Sequence, residues 1–330
     1  MSFQYQLDNG PQDIVSALHF NPTNENSNLL LASSWDSTLN LYDTSVEGGR
    51  LLTRVDGVAP LLDCCWDRSG RSAFIGGLEN KVRQIDLETG NCTILTEHVQ
   101  AVKSLAYHKP SGLIASGSWD RTVQLTDTRD KRKFRVFQQP HKVFTMDMTE
   151  NLLVVGMASR SIYVYDIRNM AEPFQRRESN LKHTTRVIKC IPTGEGFASA
   201  SIEGRIAVDF FDPSAQVQAR KYAFKCHRDN QGDVDTVYPV NALAFHPLYG
   251  TFASGGNDSL VCFWDYKARK RMRQYPRYQG PIQCLEIDSK GTSLAIAYGG
   301  ETEVGYNENT STPNGIIIRP LVPGEGKSKS

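Results

Sequence analysis

Apolar and polar residues alternate along this chain in short runs, and no helical spacing persists over a useful length. Seven runs open in the same way: VSALHF (15–20), LLDCCW (61–66), AVKSLAY (101–107), VFTMDM (143–148), RVIKCI (186–191), VNALAFH (240–246) and IQCLEI (282–287). Each is followed by a second run rich in small residues, such as LLLASS (29–34), LIASGS (113–118) or GFASAS (196–201). A turn and a third run come next, as in SWDSTLNLYD (34–43), GLENKVRQID (77–86), SWDRTVQLTD (118–127), MASRSIYVYD (157–166), SIEGRIAVDF (201–210) and GNDSLVCFWD (256–265).

The turn residues Asp36, Glu79, Asp120, Ser159, Glu203 and Asp258 follow one another at spacings of 43, 41, 39, 44 and 55. A period near 40 residues with an insertion before the sixth unit, four short strands per unit and Gly/Ser/Asp turns predicts an all-β propeller. TPNGIIIRPL (312–321) reads as a degenerate seventh unit. A seven-bladed ring must close to hide its sheet edges. FQYQL (3–7) is therefore expected as the outer strand of the last blade. Residues 1–321 then form a single propeller, and PGEGKSKS (323–330) has the composition of a disordered tail, placed from 322 onward.

Composition narrows the function classes. The chain has 330 residues, 39% of them hydrophobic, and a formal charge of +1, which argues against a generally basic nucleic-acid binder and leaves direct DNA binding unexpected. No run approaches the roughly 18 apolar residues of a membrane span, and no leader opens the chain. Seven cysteines, with no Cys-x-x-Cys pair, read as free thiols in a reducing compartment. No nucleophile elbow, zinc-protease motif or metal-spaced Cys/His cluster occurs, so neither catalysis nor a cofactor or metal is expected. His19, His108 and His246 each close a first strand, which reads as one repeat position. Asp36, Asp120 and Asp258 are expected to fix their turns by accepting bonds from turn amides and a neighbouring polar group.

The repeats resemble the WD-repeat superfamily. RRESNLKH (176–183), SIEGRIAVDFFDP (201–213), YAFKCHR (222–228) and YPVNALAFHP (238–247) narrow the resemblance to two sister families. One is the mitotic checkpoint WD-repeat protein of the budding-uninhibited-by-benzimidazole type, and the other is the WD-repeat mRNA-export factor of the nuclear pore. YDIRNM (165–170) and the double arginine of RRES are more similar to the checkpoint family. The export factor usually begins with a long Gly/Ser/Thr/Phe-rich arm, whereas here a strand is expected from Phe3.

The checkpoint resemblance implies a non-enzymatic, monomeric adaptor of the spindle assembly checkpoint, nuclear and also cytoplasmic, at kinetochores in mitosis. Its implied partners are checkpoint kinases, bound through a GLEBS-type motif across the top face, and a phosphorylated kinetochore scaffold. The alternative is an mRNA-export factor that binds the GLEBS-type motif of a nucleoporin. Trp35 and Trp119 each precede a turn Asp and are expected to hold the partner motif, whereas Trp66 and Trp264 belong to the core. Arg205 stands where the other units have Thr38, Lys81, Thr122, Ser161 and Leu260, so the scaffold does not require a cation there. The resemblance implies that Arg205 and Lys225 bind phosphothreonine in Met-Glu-Leu-Thr repeats, with Arg186 as a third candidate. A guanidinium fork and an ammonium suit a dianionic phosphate. Two basic stretches, 129–135 and 267–277, are expected as solvated c–d connections or outer strands; in an export factor they could bind RNA phosphates.

Overall fold

In a computed structural model, residues 4–130, 134–232, 234–300 and 313–328 are described. Among them are seven four-stranded antiparallel sheets and one two-stranded hairpin. Six sheets follow the sequence order of their strands, from inner to outer; blade 1, for example, comprises Val15–Phe20, Leu29–Ser34, Thr38–Asp43 and Arg50–Asp56. The seventh takes Ile282–Ile287, Ser293–Tyr298 and Gly315–Pro320 from one end of the chain and Tyr5–Gln6 from the other. Tyr5 pairs with Ile318 and Gln6 with Ile317, which closes the ring. Leu7, Val15, Leu30, Tyr42, Ile316 and Ile318 share one buried cluster across this seam. Phe3, at the start of the expected closing strand, and residues 131–133 and 301–312 lie outside the described residues.

The small residues of the second strands let neighbouring blades approach. A Cβ on Gly117 would meet Val143 of the next blade at 2.6 Å, and one on Gly255 would meet Ile282 at 2.3 Å. Each inner strand carries a bulge at its second residue, from Val15/Ala17 through Thr185/Val187 to Ile282/Cys284. A bulge re-aims one side chain, and here it does so once per blade. The seven bulged residues, among them Leu62, Lys103, Phe144 and Arg186, all line one opening at the ring's centre.

The segment after residue 321 packs against blade 6. Glu325 is buried and accepts hydrogen bonds from Arg273 Nη1 at 2.6 Å and Tyr275 Oη at 2.7 Å. Thr251 Oγ1 donates to the Gly326 carbonyl at 2.6 Å, and the Ser328 hydroxyl donates to Asp265. A turn-like, charged composition folds back here because the outer strand of blade 6 offers an arginine and a phenol; residues 329 and 330 lie outside the described residues.

The histidines do not share one repeat position. His108 Nε2 lies 2.5 Å from the Glu150 carbonyl of the next blade, and His246 Nε2 lies 3.2 Å from that of Gly291. The corresponding bond in blade 1 comes from Asn21, whose amide donates to the Gly70 carbonyl at 3.0 Å. His19 sits two residues earlier, 3.8 Å from Asp63 and 3.7 Å from Glu286 on the inner strands of blades 2 and 7.

Candidate top-face interface

The turns between second and third strands share a face with the connections that lead into each blade. Trp35 N donates to the Ile14 carbonyl, Gly57 N to Ser37, Leu78 N to Pro60, His98 N to Asn80 and Trp119 N to Ala101. Each bond ties a turn to the connection that enters or leaves the same blade. The residue after each turn acid has positive φ: Ser37, Asn80, Arg121, Gly204 and Ser259.

The turn carboxylates are densely bonded. Asp36 accepts from Gln12 N at 2.7 Å and from Thr38 N and Oγ1 at 2.9 and 2.7 Å. Asp120 accepts from Val99 N at 2.9 Å and from Thr122, and its Oδ2 lies 3.1 Å from His98 Nδ1. Burial opposes the Asp120 charge, but the bonds from Thr122, Val99 and His98 outweigh it and hold its pKa below the ordinary carboxylate range. Asp258 faces His227 Nδ1 at 2.8 Å; His227 Nε2 reaches Ser254 Oγ at 2.7 Å, and Trp264 Nε1 donates to that same hydroxyl. Trp66 is buried and donates to the His19 carbonyl.

Trp35 and Trp119 both line the opening at the centre of the ring. Trp35 is 37% exposed, and the Trp119 Nε1 is buried without a hydrogen-bond partner among the described residues. Three apolar residues beside them were not singled out from the sequence: Val58, Leu78 and Val99, with Val58 80% and Val99 83% exposed. All three sit in turns, where polar residues are usual, and that was the available signal. With the two indoles they form an apolar arc over blades 1–3.

Blade 5 is cationic instead. Arg205 opens the third strand, Arg205–Phe210, and pairs directly with Lys225 at the end of the outer strand, Tyr222–Lys225. Arg205 Nε lies 3.7 Å from Glu203, and the exposed Lys225 has no hydrogen bond or ion pair among the described residues. Like charges placed opposite one another across strands are unfavourable, so an anion between them would relieve the pair. Arg186 is directed elsewhere. Its bulge turns it toward the central opening, beside the tryptophans, where Nε and Nη2 donate to Asn241 Oδ1 of blade 6 at 3.3 Å each.

The stretch 267–277 occupies the c–d connection and outer strand of blade 6. Arg269 lies over the Tyr222 ring, Arg273 bonds Glu325 and Arg277 Nη1 donates to the Asp258 carbonyl at 2.7 Å. In the stretch 129–135, Arg129 pairs with Asp127 at 2.9 Å, and residues 131–133 lie outside the described residues. Among the described residues, no group of three or more His, Cys, Asp or Glu is placed to hold a metal ion, and no helix is long and apolar enough to cross a membrane.

The WD domain (G-beta repeat) family matches residues 2–43, 90–127 and 222–265. The crystal structure of the RRP9 WD40 repeats superposes with a TM-score of 0.81 at 17% identity, covering 96% of this chain and 97% of that one. It supports the fold alone. The "mRNA export factor GLE2" of Chaetomium thermophilum is 32% identical over 98% of this chain and 92% of its own length. The "Mitotic checkpoint protein BUB3.1" of Arabidopsis thaliana is 42% identical over 98% of this chain and 94% of its own length. With 42% identity over almost the whole chain, this protein belongs to the Bub3 family of mitotic checkpoint WD-repeat proteins.

Proposed function

We propose that this protein is a non-enzymatic adaptor of the spindle assembly checkpoint, which recruits checkpoint kinases to a phosphorylated kinetochore scaffold. The observation that carries the reading is the cross-strand pairing of Arg205 with Lys225 on the rim of blade 5. A phosphothreonine carries about −1.5 to −2 charges at neutral pH and would meet both cations, whereas the unmodified hydroxyl would satisfy neither. A kinase thus writes a mark that the blade reads. The apolar arc of Trp35, Val58, Leu78, Val99 and Trp119 receives the GLEBS-type motif of the kinases. Aromatic residues with partly exposed rings and an apolar surround make good interface anchors. Arg186 belongs with the arc in this reading, since Asn241 holds it at the central opening.

The test is a pull-down of the tagged protein from mitotic cells, read by mass spectrometry. Checkpoint kinases and a phosphorylated kinetochore scaffold are the expected captures. Recovery of a nucleoporin and RNA-bound proteins in their place would overturn the reading in favour of mRNA export, to which the 32% identity with an export factor lends support.

A further inference from the structure

Directly after Lys225 the chain makes an unusual move. Cys226 is buried, and its amide donates to the Gly204 carbonyl at 2.9 Å. His227 then adopts a left-handed conformation with φ of 47°, uncommon outside glycine, and is buried against Asp258 and Ser254. This reversal launches the inserted hairpin, Arg228–Gln231 and Val234–Val237, back over the turn that precedes Arg205. The hairpin root lies so close that a Cβ on Gly204 would meet the Cys226 carbonyl at 2.7 Å and Val237 at 3.0 Å. The glycine of that turn, where other blades carry Ser37, Asn80, Arg121 and Ser259, thus leaves room for the root of the insertion.

Arg228 ties the two together. Its Nη2 donates to the Glu203 carbonyl at 2.9 Å, and its Nη1 pairs with Asp235 of the second hairpin strand at 2.7 Å. The side chain is 18% exposed, and Nε is buried with no partner among the described residues. A buried unpaired donor is a cost to the fold, and here it accompanies a guanidinium stretched between the turn and the hairpin.

We propose that Arg228 is a positioning residue for phosphothreonine reading: it clamps the Glu203–Gly204 turn and so fixes the base from which Arg205 meets the phosphate opposite Lys225. The inference rests on the phosphothreonine reading of that site. Asp235 is the outer support of the clamp.

The experiment titrates phosphorylated and unphosphorylated Met-Glu-Leu-Thr peptides against the full chain, its Arg228→Ala and Arg228→Lys variants, and Asp235→Asn. Amide hydrogen exchange of Arg205 and Cys226 is followed in the same proteins without peptide. Arg228→Ala should lose about tenfold in preference for the phosphorylated peptide, the scale of one charge-assisted bond, with faster exchange at Arg205 and Cys226. Asp235→Asn should shift both readouts the same way, by less. Arg228→Lys should recover part of each, because one bond to Glu203 survives. Unchanged binding of a GLEBS-type peptide marks the variants as folded. Full preference and unchanged exchange in Arg228→Ala would overturn the proposal. Lost preference with unchanged exchange would overturn it too, since the guanidinium would then act on the phosphate itself. If the wild-type chain binds both peptides equally, the phosphothreonine reading falls, and the exchange of the free protein still decides whether Arg228 clamps the turn.

Discussion

Arg205 and Lys225 are directly opposed residues on the outer two strands of blade 5, 20 positions apart in the chain and adjacent at its rim. Arg205→Ala should therefore abolish selective binding of a phosphorylated Met-Glu-Leu-Thr peptide. Hydrogen bonds to a charged group contribute roughly 1.5–3 kcal/mol each, so a loss of at least about tenfold is expected. Lys225→Ala should act in the same direction but more mildly, as a single point charge. The fold should persist, because the equivalent positions hold Thr38, Thr122, Ser161 and Leu260. Calorimetric titration checks this, and retained phospho-preference in Arg205→Ala would reduce the arginine to a solvated strand end.

Trp35→Ala and Trp119→Ala should each weaken a GLEBS-type peptide by about 2 kcal/mol or more, the usual scale for an aromatic anchor. Val99→Asp should do the same without touching the core, since that side chain is 83% exposed. Normal affinity in folded variants of all three would remove the apolar arc from the interface.

Deletion of residues 1–8 should lower the melting temperature by several degrees. It removes the pairs Tyr5–Ile318 and Gln6–Ile317 and the buried Leu7, whose side chain alone is worth about 1.5–3 kcal/mol. An unaltered thermal transition would mean that blade 7 does not need its outer strand.

Glu325→Ala should destabilise the chain by about 1–3 kcal/mol, because the Tyr275 hydroxyl loses its buried acceptor. Glu325→Gln should cost less, since the amide oxygen still accepts. Denaturant midpoints of the two variants provide the measurement, and no difference from wild type would show that the segment after blade 7 adds nothing to the ring.

His19 makes a pH prediction. Burial alone would push its pKa down, but the carboxylates of Asp63 and Glu286 raise it to about 9, above the ordinary value near 6.5. The folded state thus holds the proton more tightly. Its contribution to stability is fully present below about pH 6.5 and is lost as pH rises through about 9. Denaturant midpoints of wild type should fall across that interval, and those of His19→Gln should fall less. Parallel curves would show that the imidazole is not paired in the folded protein.

Much of this architecture could be read from local pattern. The seven strand groups follow from apolar alternation, and the turns follow from Asp36, Asp120 and Asp258, whose carboxylates bond amides two residues away or in the adjoining connection. Arg205 was visible as an anomaly against its repeat equivalents. The direction of Arg186, the third phosphothreonine candidate, was not legible, because a one-residue bulge between Thr185 and Val187 is invisible to a two-residue period yet turns the side chain toward the central opening. His19 was grouped with His108 and His246, although its place in the strand puts it beside Asp63 and Glu286.

The sequence by itself determined the number of blades, the order of strands within each and the turn that precedes Arg205, because alternation, turn propensity and repeat length act between near neighbours. Tertiary structure alone decided which distant residues meet. It set Lys225 against Arg205, drew Trp35, Val58, Leu78, Val99 and Trp119 from three blades into one arc, and folded Arg228 back onto Glu203. It also brought Glu325 onto the outer strand of blade 6. Those encounters depend on strand register, ring closure and the path of an insertion, and these are settled only when all seven blades pack together.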